Sequence, residues 1–514
     1  LLAGLQAAER LSIPNVDTWR ASALGSYVGK EVLFPVPVYV NSVSGGVTVS
    51  VRRMMSGTET CLPGSAEWKG YQERNQAGLF QLNGAGSNHR LGEVIENLVV
   101  KVNSSSNIQY VSGDWVANSR AQLSQGPDWS ALDQNGQHRL VVCAMNLEYY
   151  LVSDFGQGYG PKNSTEHERQ RQKTSKALAA VHADIYGVVE VQKGSRALNE
   201  LAHDLDSLTG RKYKFITATS TEAGTYTQSA FIYCSETVRQ YSPIIEAGGG
   251  PSDRRYMVIF KEISTGETFI YSINHFKAKS GNGTGLDADQ HDGQGAYNAT
   301  RTTEAVNVIS TGARVSQSNN EPDILVMGDL NAYSMEDPIR KFTDNGYTNL
   351  HKYFYNNASY SYYSSYSNEA GTLDHALANP TLLPQVTGML AYHINSDEND
   401  KYTYDKSPDV TMFRSSDHDP ILVGLRLNSD PTLNDVRLNN DGVYFDGKDV
   451  IVYNARQNTN QSSYYAIYTL NGQVIEQGTV SSNMYTIKHP TPPGLYIIQV
   501  YANYKVHNFK IIVQ

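Results

Sequence analysis

Three cysteines in 514 residues, Cys61, Cys143 and Cys234, are too few and too unevenly spaced for a disulfide framework or a thiolate zinc site. Cys143 and Cys234 sit in apolar runs and are expected to be buried thiols. No stretch approaches the roughly twenty apolar residues of a helical membrane span. No charged leader precedes Leu1, which fits a soluble chain trimmed of any signal peptide. Excess positive charge is also missing: the formal net charge is −9, which excludes a protein that grips polyanions through a broad basic face. Tryptophan is scarce at 4 residues, whereas tyrosine reaches 35, a bias toward amphipathic rings suited to half-buried β surfaces.

What is present divides into three textures. The length alone implies about two to four domains. From about Val28 to Val111, short β-type runs such as 31–40 and 47–51 alternate with Gly, Ser and Asn turns, so residues 1–137 are expected to hold an all-β domain followed by a polar linker from about 111. Residues 138–427 alternate apolar strands (138–145, 185–191, 230–233, 256–260, 268–276, 323–327, 372–378) with helical stretches, an α/β layered domain. One helix is expected to open at Thr165, with Glu168 completing a capping box and Ala177, Leu178 and Val181 forming its buried stripe. From 428 to 514 the pattern is alternating strands with Gly447-Lys448, Asn471-Gly472 and Pro492-Pro493-Gly494 turns, a small β-sandwich.

Polar residues fall at the ends of the apolar runs: Asn146, Glu190, His275, Asp329 with Asn331, and Asp374. A charge inside a packed strand is costly to desolvate, so such residues face a cleft, a partner or a metal. Before the last apolar run of this region, Ser416-Asp417-His418-Asp419-Pro420 flanks an imidazole with carboxylates, the usual device for tuning it.

Together, Asn146-Leu147-Glu148, Val189-Glu190-Val191, Asn274-His275-Phe276, Gly328-Asp329-Leu330-Asn331, Leu373-Asp374-His375 and the Asp417-His418-Asp419 run resemble the endonuclease/exonuclease/phosphatase superfamily, in order and spacing, across about 290 residues. The resemblance implies a four-layered α/β sandwich of two mixed sheets flanked by helices. It implies that Glu190, with Glu148, holds Mg²⁺ or Mn²⁺, supported by Asp417. It also implies that His418, oriented by Asp374, acts as general base or its electrostatic equivalent, while Asp329 positions the attacking water. Asn146, Asn331 and His275 are the implied donors to the phosphate oxygens. Tyr226 and one of Arg254 or Arg255 fall near phosphate-contacting positions. Gln192 departs from the polar or basic contact that some members carry there.

Other features have plainer readings. Asp287, Asp289 and Asp292 share a Gly-containing loop able to wrap Ca²⁺, against the alternative of a solvated acidic loop. The tyrosine-rich run 353–366 reads as a flexible loop, with base stacking as its sharper alternative. His375 is expected to be structural, since neighbouring strand residues face opposite ways. His167, His182, His203, His291 and His393 lack a matched partner, and Asp397 to Asp400 reads as a hydrated turn.

The tail, with Tyr465 to Tyr468 and Pro493 to Val500, resembles the C-terminal sorting domain of type IX secretion substrates, a family of Bacteroidota. This implies export and a secreted or cell-surface protein. The N-terminal region is similar in position and β-character to the OB-like domains of some extracellular nucleases. The expected activity is a sugar-nonspecific extracellular endonuclease acting on DNA or RNA as a monomer. A phosphatase or sphingomyelinase-type phosphodiesterase is the alternative, and a binding protein with a degenerate site conflicts with the complete residue set.

Overall fold

The computed structural model describes residues 8–427 except 87, 117–119, 219–224, 249–253 and 357, and in the tail residues 442–445, 450–453, 463–469, 473–480, 484–487, 494–502 and 505–513. Two compact units result, Leu1–Asp430 and Pro431–Gln514. Residues 1–137 and 138–427 lie together in the first of these units. No helix among the described residues is long and apolar enough to cross a membrane.

Two mixed sheets form the centre of the larger unit. One runs in the order 213–216, 227–234, 185–192, 140–150, 421–425, 386–391; the other is built on 238–240, 255–262, 268–275, 324–329, 374–378 and 348–349. Each has one parallel pair at its middle, Leu140–Tyr150 with Ile185–Gln192 and Thr268–His275 with Ile324–Asp329, among antiparallel neighbours. Leu140, Val142, Val189 and Phe231 from the first sheet pack against Tyr271, Ile273, Leu325 and Met327 from the second, all buried. Helices Ser164–Val181 and Arg196–Thr209 cover the outer face of the first sheet, and Asn298–Asn319 and Asp337–Asp344 that of the second, so the order of layers is helix, sheet, sheet, helix.

The first of these helices is capped two residues earlier than the Thr165/Glu168 reading placed it. Its N-cap is Asn163, whose side chain accepts from Glu166 N, while Glu166 Oε2 accepts from Lys162 N. Asparagine caps as well as threonine, and here it precedes it in the chain.

In the N-terminal region the strands Val38–Ser42, Val47–Ser50, Phe80–Asn83, Asn107–Val116 and Val94–Ser104 pair in a closed circuit. The region is not all-β: the helix Ala66–Gly78, capped by Ser65 accepting from Trp68 N, lies between two of these strands. Its sequence is polar on nearly every side, so no apolar stripe announces it. The polar segment after 111 is not simply a linker either, because the strand extends to Val116 and Leu132 is fully buried. In the smaller unit, strands 442–445, 450–453 and 484–487 form one antiparallel sheet and 474–480, 463–469, 494–502 and 505–513 another. The turns read at 447–448, 471–472 and 492–493 lie outside the described residues.

All three cysteines are free and buried. Asp397 and Glu398 are not a hydrated turn. Both are buried, Asp397 paired with Arg53 at 3.1 Å and Glu398 with Arg90 at 2.5 Å and with Arg120, so this turn ties the N-terminal strands to the α/β layers.

Candidate active site

Two irregularities in the first sheet create the site. Val189 pairs with Asn146 and Val191 with Tyr150, so residues 147–149 loop out opposite Glu190 alone. On the other side of the same strand, Gln228 pairs with Val191 and Ala230 with Val188, a bulge that leaves Glu190 out of register. Glu190 (φ 59°), Glu148 (φ 52°), Asn331 (φ 47°) and Arg414 (φ 56°) all occupy the left-handed region, which non-glycine residues adopt at a cost. These four positions lie where polar side chains converge.

That convergence is direct. Asn146 Nδ2 donates to Glu190 Oε1 and to Asp329 Oδ2, each at 3.2 Å. Its Oδ1 accepts from Glu148 N at 2.9 Å, and Glu190 Oε2 accepts from Tyr149 N at 3.0 Å. His275 Nε2 stands 3.5 Å from Glu190 Oε1 and 3.7 Å from Asp329 Oδ2. Asn331 donates from its backbone N to Asp329 Oδ1 at 3.0 Å and from Nδ2 to Asp329 Oδ2 at 3.2 Å.

His418 closes the arrangement. Its Nδ1 is 2.7 Å from Asp374 Oδ2, which leaves Nε2 facing Asp329 Oδ2 at 3.9 Å and Asp417 Oδ1 at 4.0 Å. Asp374 is fixed in turn by Ser361, whose Oγ donates to Asp374 Oδ2 at 2.8 Å and accepts from Asp374 N at 2.9 Å. The ring of Tyr362 lies 4.8 Å from that of His418. The tyrosine-rich run is therefore not a free loop, since Ser361 is fully buried and Tyr362–Ser364 pairs with Glu369–Gly371.

Burial and like charge set the protonation of the cluster. Glu148 is raised well above the ordinary carboxyl value by burial and then by Asp417 and Glu190, with Arg414 opposing; Glu190 is raised by burial and Asp417. Asp329 is pushed up to about 7, chiefly by burial. Burial alone would lower His418, but Asp374, Asp417 and Asp329 outweigh it and raise the imidazole well above its ordinary value. Burial, Arg254, His418 and Lys277 keep His275 neutral.

The residues fit a divalent cation. Glu148 Oε2 is buried with no hydrogen-bond partner, and the charge of Asp417 raises the proton affinity of both Glu148 and Glu190, a tension that a hard cation relieves. Among the described residues, the group of His, Cys, Asp and Glu whose ligand atoms lie within 4.8 Å of one another is Asp329, Asp374 and His418, so this buried trio could also bind a metal. Within it, His418 Nδ1 is already engaged by Asp374. Glu148, Glu190 and Asp417 are near enough to repel but are not drawn to a common point.

The remaining expected residues separate. Arg254 is half-buried and its charge reaches Tyr149 and His275, whereas Arg255 is buried in an ion pair with Glu304 at 2.5 Å and donates to Ala247 O. Tyr226 is exposed one residue before Thr227, which pairs with Gln192. Gln192 faces inward: its Oε1 accepts from Val152 N and Ser153 N at 2.7 and 2.9 Å, so it shapes the loop after the first bulge. Asp287, Asp289 and Asp292, in the loop read as able to wrap Ca²⁺, are not among the described residues whose ligand atoms lie within 4.8 Å of one another. Asp287 accepts from Thr300 N and Oγ1 at the start of a helix, Asp289 from His291 N, and Asp292 from Gln294, so the three carboxylates serve separate turns. His375 Nε2 donates to Ala332 O, 2.7 Å away, and the ring is buried. Two histidines read as unpartnered do have partners, His393 with Asp419 at 2.9 Å and His167 with Glu200 at 3.1 Å.

Sequence reasoning missed Ser361, Gln170, Lys277, Arg414 and Tyr362. Gln170 Nε2 donates to Glu148 O at 2.9 Å from the buried face of a helix, and a glutamine there is the one signal that was available.

The sequence profile of the endonuclease/exonuclease/phosphatase family matches residues 157–418, just over half of the chain. No curated protein matches in sequence. Among solved structures, an endonuclease/exonuclease/phosphatase from Bacteroides vulgatus is similar at 15% identity and a TM-score of 0.39, covering 56% of this chain and 99% of that one. The human Nocturnin catalytic domain with bound sulfate gives 14%, 0.38, 56% and 94%. A mannosyl-6-phosphatase from Bacteroides thetaiotaomicron gives 15%, 0.37, 56% and 100%.

Proposed function

The chain belongs to the endonuclease/exonuclease/phosphatase family, whose members are typically hydrolases of phosphoester bonds that use divalent metals, and from this we propose that it is a secreted phosphodiesterase that cuts DNA or RNA internally. One observation carries the hydrolytic reading: a buried His418–Asp374 pair faces Asp329 across 3.9 Å, beside the carboxylates of Glu190, Glu148 and Asp417.

Glu190 and Glu148, with Asp417, hold Mg²⁺ or Mn²⁺ in this reading. The ion supplies positive charge at the scissile phosphate. Asp329, whose proton affinity is raised, accepts a proton from water aimed at phosphorus. His418 Nε2, kept cationic by its carboxylates, donates to a phosphoryl oxygen, so its electrostatic role is favoured over that of base. Asp374 fixes the ring's orientation and Asn146 and His275 offer further donors. Arg254 and Lys277 add charge beside His275, which gives an acidic protein a local grip on a polyanion.

Residues 428–514 are proposed as an export and sorting module of the type IX kind in a bacteroidotal protein, and residues 1–137 as an OB-like region that contacts substrate. The protein acts outside the cell as a monomer. A phosphatase or sphingomyelinase-type activity is the second reading, favoured by the net charge of −9.

A panel of supercoiled plasmid, single-stranded RNA, sphingomyelin and a phosphate monoester, each with Mg²⁺, Mn²⁺ or a chelator, tests this. Metal-dependent nicking of the plasmid that His418→Ala abolishes is the expected result. Turnover confined to the monoester or sphingomyelin selects the second reading, and no turnover of any substrate removes both.

A further inference from the structure

The segment Met54–Thr60 leaves the N-terminal strands and runs between two loops of the α/β layers that carry catalytic residues. One follows Asn331, the other precedes Asp374. Ala370 N donates to Met54 O and Ser56 N to Ala370 O, at 2.9 and 2.8 Å; Met335 N donates to Thr58 O at 2.9 Å, and Thr58 Oγ1 to Glu336 Oε1 at 2.7 Å. At the centre is Glu59, only 2% exposed. Its Oε1 accepts from Ser334 Oγ, three residues after Asn331, and its Oε2 accepts from Thr372 N at 3.0 Å, two residues before Asp374.

The contact is close-packed as well as hydrogen-bonded. A Cβ on Gly371 would stand 2.4 Å from the ring of Tyr333 and 3.3 Å from Ser56 Cβ, so glycine alone lets the three chains meet. The two loops also join each other through Leu330 N and Leu373 O at 2.9 Å. Asn75 Nδ2, from the helix that follows the segment, donates to Glu369 Oε1 at 2.7 Å.

We infer that residues 54–60 are a strap that holds the Asn331 and Asp374 loops at their working separation, with Glu59 as its positioning residue. A buried carboxylate bonded by Ser334 on one side and by Thr372 on the other measures the distance between those residues, and each belongs to a different catalytic loop. The N-terminal region is in this way part of the active site's scaffold in addition to any contact with substrate. The inference rests on the reading of Asp374 and Asn331 as catalytic.

Glu59→Gln tests it without changing shape. The carboxamide has one acceptor oxygen, and although its NH₂ can donate to the Ser334 hydroxyl it cannot accept from the backbone N–H of Ser334 or of Thr372, so one loop loses its backbone anchor. Ile95→Ala, in the core of the N-terminal strands, serves as the destabilising control. In full-length protein, amide hydrogen exchange at Thr372 and across 331–337 should quicken about five- to tenfold in Glu59→Gln and not in Ile95→Ala. With plasmid as substrate, kcat of Glu59→Gln should fall between about 10- and 100-fold with KM within about twofold, below its melting transition, while Ile95→Ala keeps kcat. Adding Ser334→Ala to Glu59→Gln should cost little more than the worse single change. Unchanged exchange at Thr372 and 331–337 overturns the strap, as does an unchanged kcat or an equal loss in Ile95→Ala. A wild-type protein inactive on every phosphoester refutes the hydrolase reading instead, and hydrogen exchange still decides the strap.

Discussion

His418 Nδ1 lies 2.7 Å from Asp374 Oδ2, both groups buried, in the second of two loops that meet only because 44 residues of chain fold back between them. Ser361 occupies the same carboxylate oxygen from the other side at 2.8 Å. Orientation of the imidazole therefore depends on a pair and its brace, not on His418 alone.

Asp374→Asn should lower kcat by about 10²- to 10⁴-fold with KM little changed, because the ring loses both its orientation and the charge that favours its cationic form. Steady-state kinetics on plasmid DNA check this. An effect confined to KM would remove Asp374 from the positioning of His418.

Glu190→Gln should abolish tight Mn²⁺ binding while leaving the fold intact, since it removes an anionic ligand from a strained, bulged position. Calorimetric titration with Mn²⁺ reads this directly, and an unaltered affinity would place the ion elsewhere, with the Asp329, Asp374 and His418 trio next in line.

Arg254 and Arg255 should behave oppositely. Arg255→Ala leaves Glu304 buried without its cation and should cost about 3 kcal/mol of stability. Arg254→Ala should leave stability unchanged and raise KM about tenfold through loss of a charge-assisted contact. Denaturant unfolding and kinetics on the two variants separate the roles, and a reversed pattern would exchange them.

His375 is held neutral. Burial outweighs its hydrogen bond to Ala332 O and lowers it to about 4 from an ordinary 6.5. The unfolded chain takes up this proton near pH 6.5 and the folded chain only near pH 4. Its contribution to stability is thus complete above pH 6.5 and declines as pH falls toward 4, by about 3 kcal/mol in all. Unfolding free energies of wild type and His375→Gln, measured from pH 4 to 7, should converge as pH falls, and parallel curves would show that the ring does not carry this dependence.

Asp287→Ala should cost about 1 kcal/mol through loss of its bonds to Thr300, with or without calcium. Melting curves with added Ca²⁺ and with a chelator should coincide. A Ca²⁺-dependent melting temperature that the substitution abolishes would restore the loop as an ion site.

The sequence by itself determined the layered α/β architecture and the strand ends that carry Asn146, Glu190, His275, Asp329 and Asp374, because apolar runs and the polar residues that stop them are local patterns set by burial. Tertiary structure alone decided which neighbours matter. Whether Arg254 or Arg255 faces the site follows from the pairing of the strand Arg255–Glu262, and Glu190 is aimed by bulges that only its partner strands reveal. Asp397 and Glu398 look solvated until Arg53, Arg90 and Arg120 arrive from some 300 residues away. Glu59 belongs to the site because two loops separated from it by more than 270 residues place a hydroxyl and an amide on its two oxygens. Such contacts leave no periodicity in the chain, since they depend on where distant segments meet and not on what stands beside them.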